Sequence, residues 1–172
     1  MRRLAVLLIV LPVLGFMLPA TAFHGFDPNC PDGANHFVVA GDTTLTNEKD
    51  CIGEPNLGGP YHNEWHLGAG QDSALGGSGL DDIFGGGGPD YIDGGGSFDF
   101  LWGEEGNDTL REGDFPDSDV LEGGPGDDLI VGGHGEDVLK GGGGSNDHVE
   151  HFHCGPNDTV GGFESHDHRT DC

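Results

Sequence analysis

The chain has 172 residues, of which 31 are acidic and 6 basic, giving a formal charge of −25, and 35 are glycine. Such a charge excludes a nucleic-acid partner, which demands a basic footprint, and suits a chain that stays soluble and gathers cations. Only 34% of the residues are hydrophobic, and many of those crowd into the first twenty, so a conventional oily core is excluded as well.

Residues 1–22 read as a secretory signal peptide. Arg2 and Arg3 precede an apolar stretch from Leu4 to Leu18, and Ala20-Thr21-Ala22 forms an A-x-A cleavage site. The competing reading is an uncleaved anchor, but the apolar run is short for a span and is broken by Pro12, Gly15 and Pro19. The expectation is an exported, extracellular protein with no stable membrane span once the signal is removed.

From Phe23 to His66 the sequence is irregular. Cys30 and Cys51 bracket a strand candidate, Phe37-Val38-Val39-Ala40, and the turn-like Gly41-Asp42. Four cysteines allow three pairings; in an exported chain, proximity favours Cys30 with Cys51 and Cys154 with Cys172. A bridge closing a loop of the first length contributes about 3 kcal/mol.

Residues 76–149 repeat one nine-residue phrase, G-G-x-G-x-D-x-U-x, where U is a large aliphatic residue. It starts at Gly76 and Gly85, continues at Gly94 with Ser97 in a glycine slot and at Gly103 with Glu104 in another, and recurs at Gly123, Gly132 and Gly141. The aspartates are Asp81, Asp90, Asp99, Asp108, Asp119, Asp128, Asp137 and Asp147; the U slots hold Ile83, Ile92, Leu101, Leu110, Leu121, Ile130, Leu139 and Val149. The stretch from Glu112 to Glu122 is two residues too long, with the excess placed at Asp114–Asp117, and that from Gly141 to Glu150 one too long. Because D-x-U survives both, each insertion should sit in a loop and leave the strand in register. Leu67–Leu75 is a worn copy, keeping Gly68, Gly70 and Asp72 but with Ala74 in the aliphatic slot; Asp158 and Val160 give a divergent last one.

Glycine permits tight turning with φ above zero, the aspartate ends the loop, and a short strand with its middle side chain inward follows. One aliphatic residue per nine is too little burial to order so glycine-rich a chain. Something else must hold it.

The phrase resembles the calcium-binding nonapeptide repeat of RTX (haemolysin-type) proteins. The chain looks like the small stand-alone secreted form found in actinobacteria, having a cleavable signal rather than the C-terminal export signal of the large toxins and proteases. The resemblance implies an all-β fold, a right-handed parallel β-roll (β-solenoid) in which loops two repeats apart stack on one edge. Several calcium ions then sit between stacked loops, held by carboxylates and backbone carbonyls. On this chain those positions are Asp81, Asp90, Asp99, Asp108, Asp119, Asp128, Asp137, Asp147 and Asp158, with the carbonyls of Gly77, Gly79, Gly86, Gly88, Gly124, Gly126, Gly133 and Gly135. Asp82, Asp93 and Asp127, outside the sixth slot, are expected to face solvent. The organisation that follows is a signal peptide (1–22), an N-terminal cap (23–66), the calcium-binding roll (67–160) and a C-terminal cap tail (161–172), the caps stapled by the two bridges.

Of the ten histidines, seven cluster, at His62 and His66, then at His148, His151, His153, His166 and His168. The spacing around Glu64 is not H-E-x-x-H; exposed polar histidine is the bland reading, and a zinc or copper site at the tail the sharp one. No serine lies in a G-x-S-x-G elbow, and calcium accounts for the paired carboxylates. The function expected is a non-enzymatic, secreted calcium-binding protein with a structural or surface role. The alternatives are a calcium-dependent adhesin gripping cell-surface polysaccharide or protein through Phe84, Tyr91, Phe98, Phe100, Trp102 and Phe115, or an enzyme in residues 23–66 using the roll as scaffold.

Overall fold

The computed structural model describes residues 35–38, 43–44, 50–53, 61–113, 115–150, 153–154, 159–161 and 168–170. In chain order the strands are β1 (Asn35–Val38), β2 (Thr43–Thr44), β3 (Asp50–Gly53), β4 (Tyr61–His66), β5 (Ser73–Leu75), β6 (Gly79–Gly87), β7 (Tyr91–Asp93), β8 (Phe100–Glu105) and β9 (Thr109–Arg111). They continue as β10 (Pro116–Asp117), β11 (Val120–Gly124), β12 (Leu129–Val131), β13 (His134–Gly135), β14 (Val138–Gly142), β15 (His148–Glu150), β16 (His153–Cys154), β17 (Thr159–Gly161) and β18 (His168–Thr170). No helix among the described residues is long and apolar enough to cross a membrane.

Glycine-rich loops this short send each strand to the opposite sheet from its predecessor, so that neighbours within a sheet are parallel and two repeats apart. One sheet runs β1-β3-β5-β7-β9-β12-β15-β18 and the other β2-β4-β6-β8-β11-β14-β17, with a small third sheet of β10, β13 and β16. The result is an all-β parallel solenoid in which two repeats make one coil: Ile92 pairs with Leu110, and Ile83 with Leu101.

The core is one side chain wide on each sheet. Ile52, Ala74, Ile92, Leu110, Ile130 and Val149 are stacked along the first sheet, and Trp65, Ile83, Leu101, Leu121 and Leu139 along the second, all buried. Both insertions stay out of this register, since Leu101 still meets Leu121 and Ile130 still meets Val149. The longer insertion leaves the loop as β10, whose partner in the third sheet is β13.

The sheets do not begin with the glycine phrases. In β3, Ile52 pairs with Ala74; in β4, Asn63 lies opposite Asp81 and Trp65 opposite Ile83; in β1, Phe37 pairs with Ile52. Residues 23–66 thus contribute strands to both sheets, and β18 adds the tail, His168 pairing with His148. The strand expected at Phe37–Ala40 forms two residues earlier, as β1. Cys51 is buried in β3, but the side chains of Cys30, Cys154 and Cys172 lie outside the described residues, and with them both expected bridges.

On the outer face, in-register parallel strands about 4.8 Å apart put equivalent side chains in contact. His66, Phe84 and Trp102 form such a ladder, their rings stacked at centroid separations of 4.5 and 4.4 Å. The same column continues with Glu122 and Lys140, paired at 3.0 Å.

Candidate metal centre

The aspartate slot precedes each inward aliphatic residue by two, so it too faces inward, at the corner where loop becomes strand. All eight aspartates from Asp81 to Asp147 that were expected there are buried, as are Asp72 of the worn copy and Asp50 and Asn63 upstream. They fall into two columns, one along each edge of the solenoid. In the first, the backbone N–H of Asp50 donates to Asp72 Oδ1 (2.6 Å), Asp72 to Asp90 (2.8 Å), and Asp90 to Asp108, Asp108 to Asp128 and Asp128 to Asp147 (each 2.9 Å). In the second, the N–H of Asn63 donates to Asp81 Oδ1 (3.1 Å), Asp81 to Asp99 (2.9 Å), Asp99 to Asp119 (2.6 Å) and Asp119 to Asp137 (3.0 Å). Each carboxylate therefore clamps its own loop to the loop one coil before it.

That bond uses one oxygen. The other, Oδ2, is buried with no hydrogen-bond donor in Asp72, Asp90, Asp99, Asp108 and Asp128. An unsatisfied buried carboxylate oxygen is costly, and its effect is visible in the acidities. Burial, reinforced by the like charges of neighbouring aspartates and opposed by the N–H bonds, pushes Asp90 and Asp99 up to about 8. Burial also raises Asp128 to about 7 and Asp72 and Asp108 to about 6.

The space that Oδ2 faces in Asp90, Asp99, Asp108 and Asp128 is kept open by the first glycine of the repeat, Gly85, Gly94, Gly103 and Gly123; in the worn copy of Asp72 that slot holds Leu67. A Cβ on Gly85 would lie 2.5 Å from the carbonyl oxygen of Gly103 and 2.9 Å from Asp90 Oδ2; one on Gly103 would lie 2.5 Å from both the Gly123 carbonyl oxygen and Asp108 Oδ2. A donorless carboxylate oxygen and a backbone carbonyl oxygen one coil away thus converge on a space that a methyl group would fill. Calcium takes six to eight hard oxygen ligands at about 2.3–2.6 Å, so the residues present fit it.

Beside the columns, a family model for the RTX calcium-binding nonapeptide repeat matches residues 58–92, 84–111 and 115–147, together about half the chain. The chain belongs to that family. No curated protein and no solved structure matches it. RTX repeats bind calcium, and the buried aspartates of this RTX chain are placed accordingly.

Of the glycines expected to lend carbonyls, Gly77, Gly86, Gly88, Gly124, Gly126, Gly133 and Gly135 all have positive φ, whereas Gly79 is ordinary strand. At Gly86 (φ 98°) a Cβ would also run into the carbonyl of Gly68. Ser97 (φ 95°) and Glu104 (φ 67°) adopt the same handedness without being glycine, a strain that the surrounding coils must hold in place.

Asp82 and Asp93 sit half-buried on the outer faces beside His62 and Arg111, and Asp127 is exposed next to Asn146. Asp158 lies outside the described residues. His62, His66 and His148 each meet a carboxylate, at 3.4, 3.2 and 3.3 Å; the side chains of His151, His153, His166 and His168 are not among those described. Phe84, Phe100 and Trp102 share one sheet, with Phe98 edge-on to Phe100 from the loop before β8, but Tyr91 is on the other, and Phe115 lies on the loop against Gly96.

Sequence reasoning missed Asp50, Asn63 and Glu112. For the first two the signal was present: Asp50-x-Ile52 keeps the D-x-U pair without the glycines, and the copy starting at Gly58-Gly59 keeps its first two glycines while Asn63 and Trp65 stand in the D and U slots. Glu112 occupies the first-glycine position of the irregular repeat. With Asp119 and Asp137 it forms a group of three buried carboxylates whose oxygens lie within 4.8 Å of one another. Burial, a hydrogen bond with Asp119 and the charges of Asp137 and Asp119 push Glu112 up to about 11, and burial also raises Asp119 to about 6, opposed by the hydrogen bonds from Glu112 and from the Asp99 N–H.

Proposed function

We propose that this is a secreted, non-enzymatic calcium-binding protein whose coils close around calcium ions and whose role is structural or at a surface. The observation that carries the reading is the pair of aspartate columns, in which one carboxylate oxygen ties coil to coil while in Asp90, Asp99, Asp108 and Asp128 the other faces a glycine-walled space with no donor. Bound there, calcium supplies positive charge that neutralises the columns. The chain's part is to hold Asp81, Asp90, Asp99, Asp108, Asp119, Asp128, Asp137, Asp147 and Asp158 with the stacked loop carbonyls as ligands.

Export by residues 1–22 would deliver the chain to where calcium is plentiful. The coil is assigned the right hand that parallel crossovers adopt in nearly all cases. Bridges Cys30–Cys51 and Cys154–Cys172 would staple the two ends, where a repeat array frays; the disulfide-bonded state of buried Cys51 supports the first. An adhesin reading rests on the exposed rings of Phe98 and Phe115. Against a flat sugar-binding platform, Phe84 and Trp102 turn their ring faces to each other, at an interplanar angle of 4°.

Calorimetry and far-UV circular dichroism on the full chain test the main reading. Several calcium ions should bind, and chelator should abolish the strand signal reversibly. An unchanged strand signal in chelator together with no calcium uptake would overturn it.

A further inference from the structure

We propose that the irregular repeat carries a cation site of its own kind, a three-carboxylate site of Glu112, Asp119 and Asp137, which takes up its ion more tightly than the regular repeat sites. It rests on the calcium-binding reading and deepens it for one position.

The backbone shows what Glu112 replaces. Gly76 N–H donates to Asp93 O (2.8 Å), Gly94 N–H to Arg111 O (2.8 Å) and Gly132 N–H to Glu150 O (3.0 Å); Glu112 N–H donates to Val131 O (3.3 Å) in the same ladder. Glu112 is thus a first-slot residue. In regular repeats that slot has no room for a Cβ, because the aspartate five residues on and a carbonyl one coil away close it. Here the aspartate is Asp119, two residues further along the chain, and the added length bulges out as β10. The carboxyl enters the space that glycine elsewhere leaves open.

Glu112 is only 2% exposed. Its Oε1 accepts the His134 N–H at 2.6 Å, and its buried Oε2 receives no donor from outside the group of three carboxylates. The ligand oxygens of the three carboxylates lie within 4.8 Å of one another, the span that two oxygens each about 2.4 Å from one calcium ion can bridge. Beside Gly85, Gly103 and Gly123 a single donorless aspartate oxygen converges with a backbone carbonyl oxygen. The irregular site gathers three carboxylates, which an ion charges fully by displacing the proton between Glu112 and Asp119, and calcium affinity rises with the count of charged ligands.

The test is calcium calorimetry on the full chain and on Glu112→Gln and Glu112→Gly, with calcium-dependent strand signal followed in parallel. The native chain should show one ion bound more tightly than the rest. Both variants should lose about tenfold or more in affinity for that ion alone, equivalent to about 1.4 kcal/mol, while the weaker ions are unchanged. Glu112→Gln, nearly isosteric, guards against a misfolding explanation for the glycine variant. Unchanged binding in Glu112→Gln overturns the three-carboxylate site but leaves the calcium-binding reading standing, as does a single uniform class of ions in the native chain. No uptake by the native chain overturns both.

Discussion

Replacing Gly85 by alanine is the sharpest probe of the proposed ion spaces, because Gly87, two residues away in the same strand β6, supplies its control. At Gly85 the new Cβ would lie 2.5 Å from the Gly103 carbonyl oxygen and 2.9 Å from Asp90 Oδ2, separations that real Cβ atoms essentially never show. The first of these is backbone, so the two coils must part. Overpacking of this kind costs about 1–3 kcal/mol. Excluding an ion adds about 2.7 kcal/mol at a calcium concentration a hundredfold above its Kd, since that is what binding to the folded form alone contributes. At Gly87 the Cβ would meet only Ala69 Cβ at 4.0 Å, and φ is not positive, so alanine there should be neutral or stabilise by about 0.4–1 kcal/mol through the unfolded chain. Urea unfolding in saturating calcium, followed by circular dichroism, measures both, with calorimetry counting ions. If Gly85→Ala matches Gly87→Ala in stability and ion count, the space beside Gly85 holds no ion and the glycine rule is not about room.

Two further outcomes follow from the same columns. In chelator, folded Asp90 and Asp99 keep their protons up to about pH 8, whereas unfolded aspartates lose theirs near 3.8. The fold binds more protons across that window, so its ion-free stability is fully present below it and is lost as pH rises through it. Strand signal in chelator should therefore recover on acidification, while calcium uptake should weaken; an ion-free signal that grows with rising pH would contradict the burial of these groups. Separately, Leu101→Ala deletes a fully buried side chain from a core one residue wide and should cost about 2–5 kcal/mol in the calcium-loaded state. A urea midpoint equivalent to less than about 1 kcal/mol would mean that the column does not hold the sheets together.

The regular half of the fold was legible because two signals were locked in phase. Asp81-x-Ile83 through Asp147-x-Val149 state both the inward corner and the inward core, and the insertions left that pair intact. What stayed hidden is where only one signal survives. Asn63-Glu64-Trp65 was read as part of a histidine cluster, yet Asn63 lies opposite Asp81 and donates to it from both backbone and side chain. Gly58 and Gly59 keep the first two glycine slots, but with Asn and Trp in place of the aspartate and the aliphatic residue the D-x-U signature is gone, and register comes from pairing with β6, a long-range contact. Glu112 was hidden for a related reason. The sequence marks it only as the start of the over-long stretch; that it stands in the first-glycine slot with its carboxyl buried beside Asp137 depends on the neighbouring coil.

Because each strand contacts those two repeats away and alternate repeats belong to opposite sheets, the solenoid imposes a parity on change in length. Losing or gaining repeats in even numbers restores every downstream residue to its own sheet. A single repeat lost between Phe84 and Trp102 would send the two rings to opposite sides of the molecule, although all the aliphatic columns would re-form. Lengthening by duplication is thus cheap for the generic core and selective for whatever the outer faces and the irregular corner have come to do.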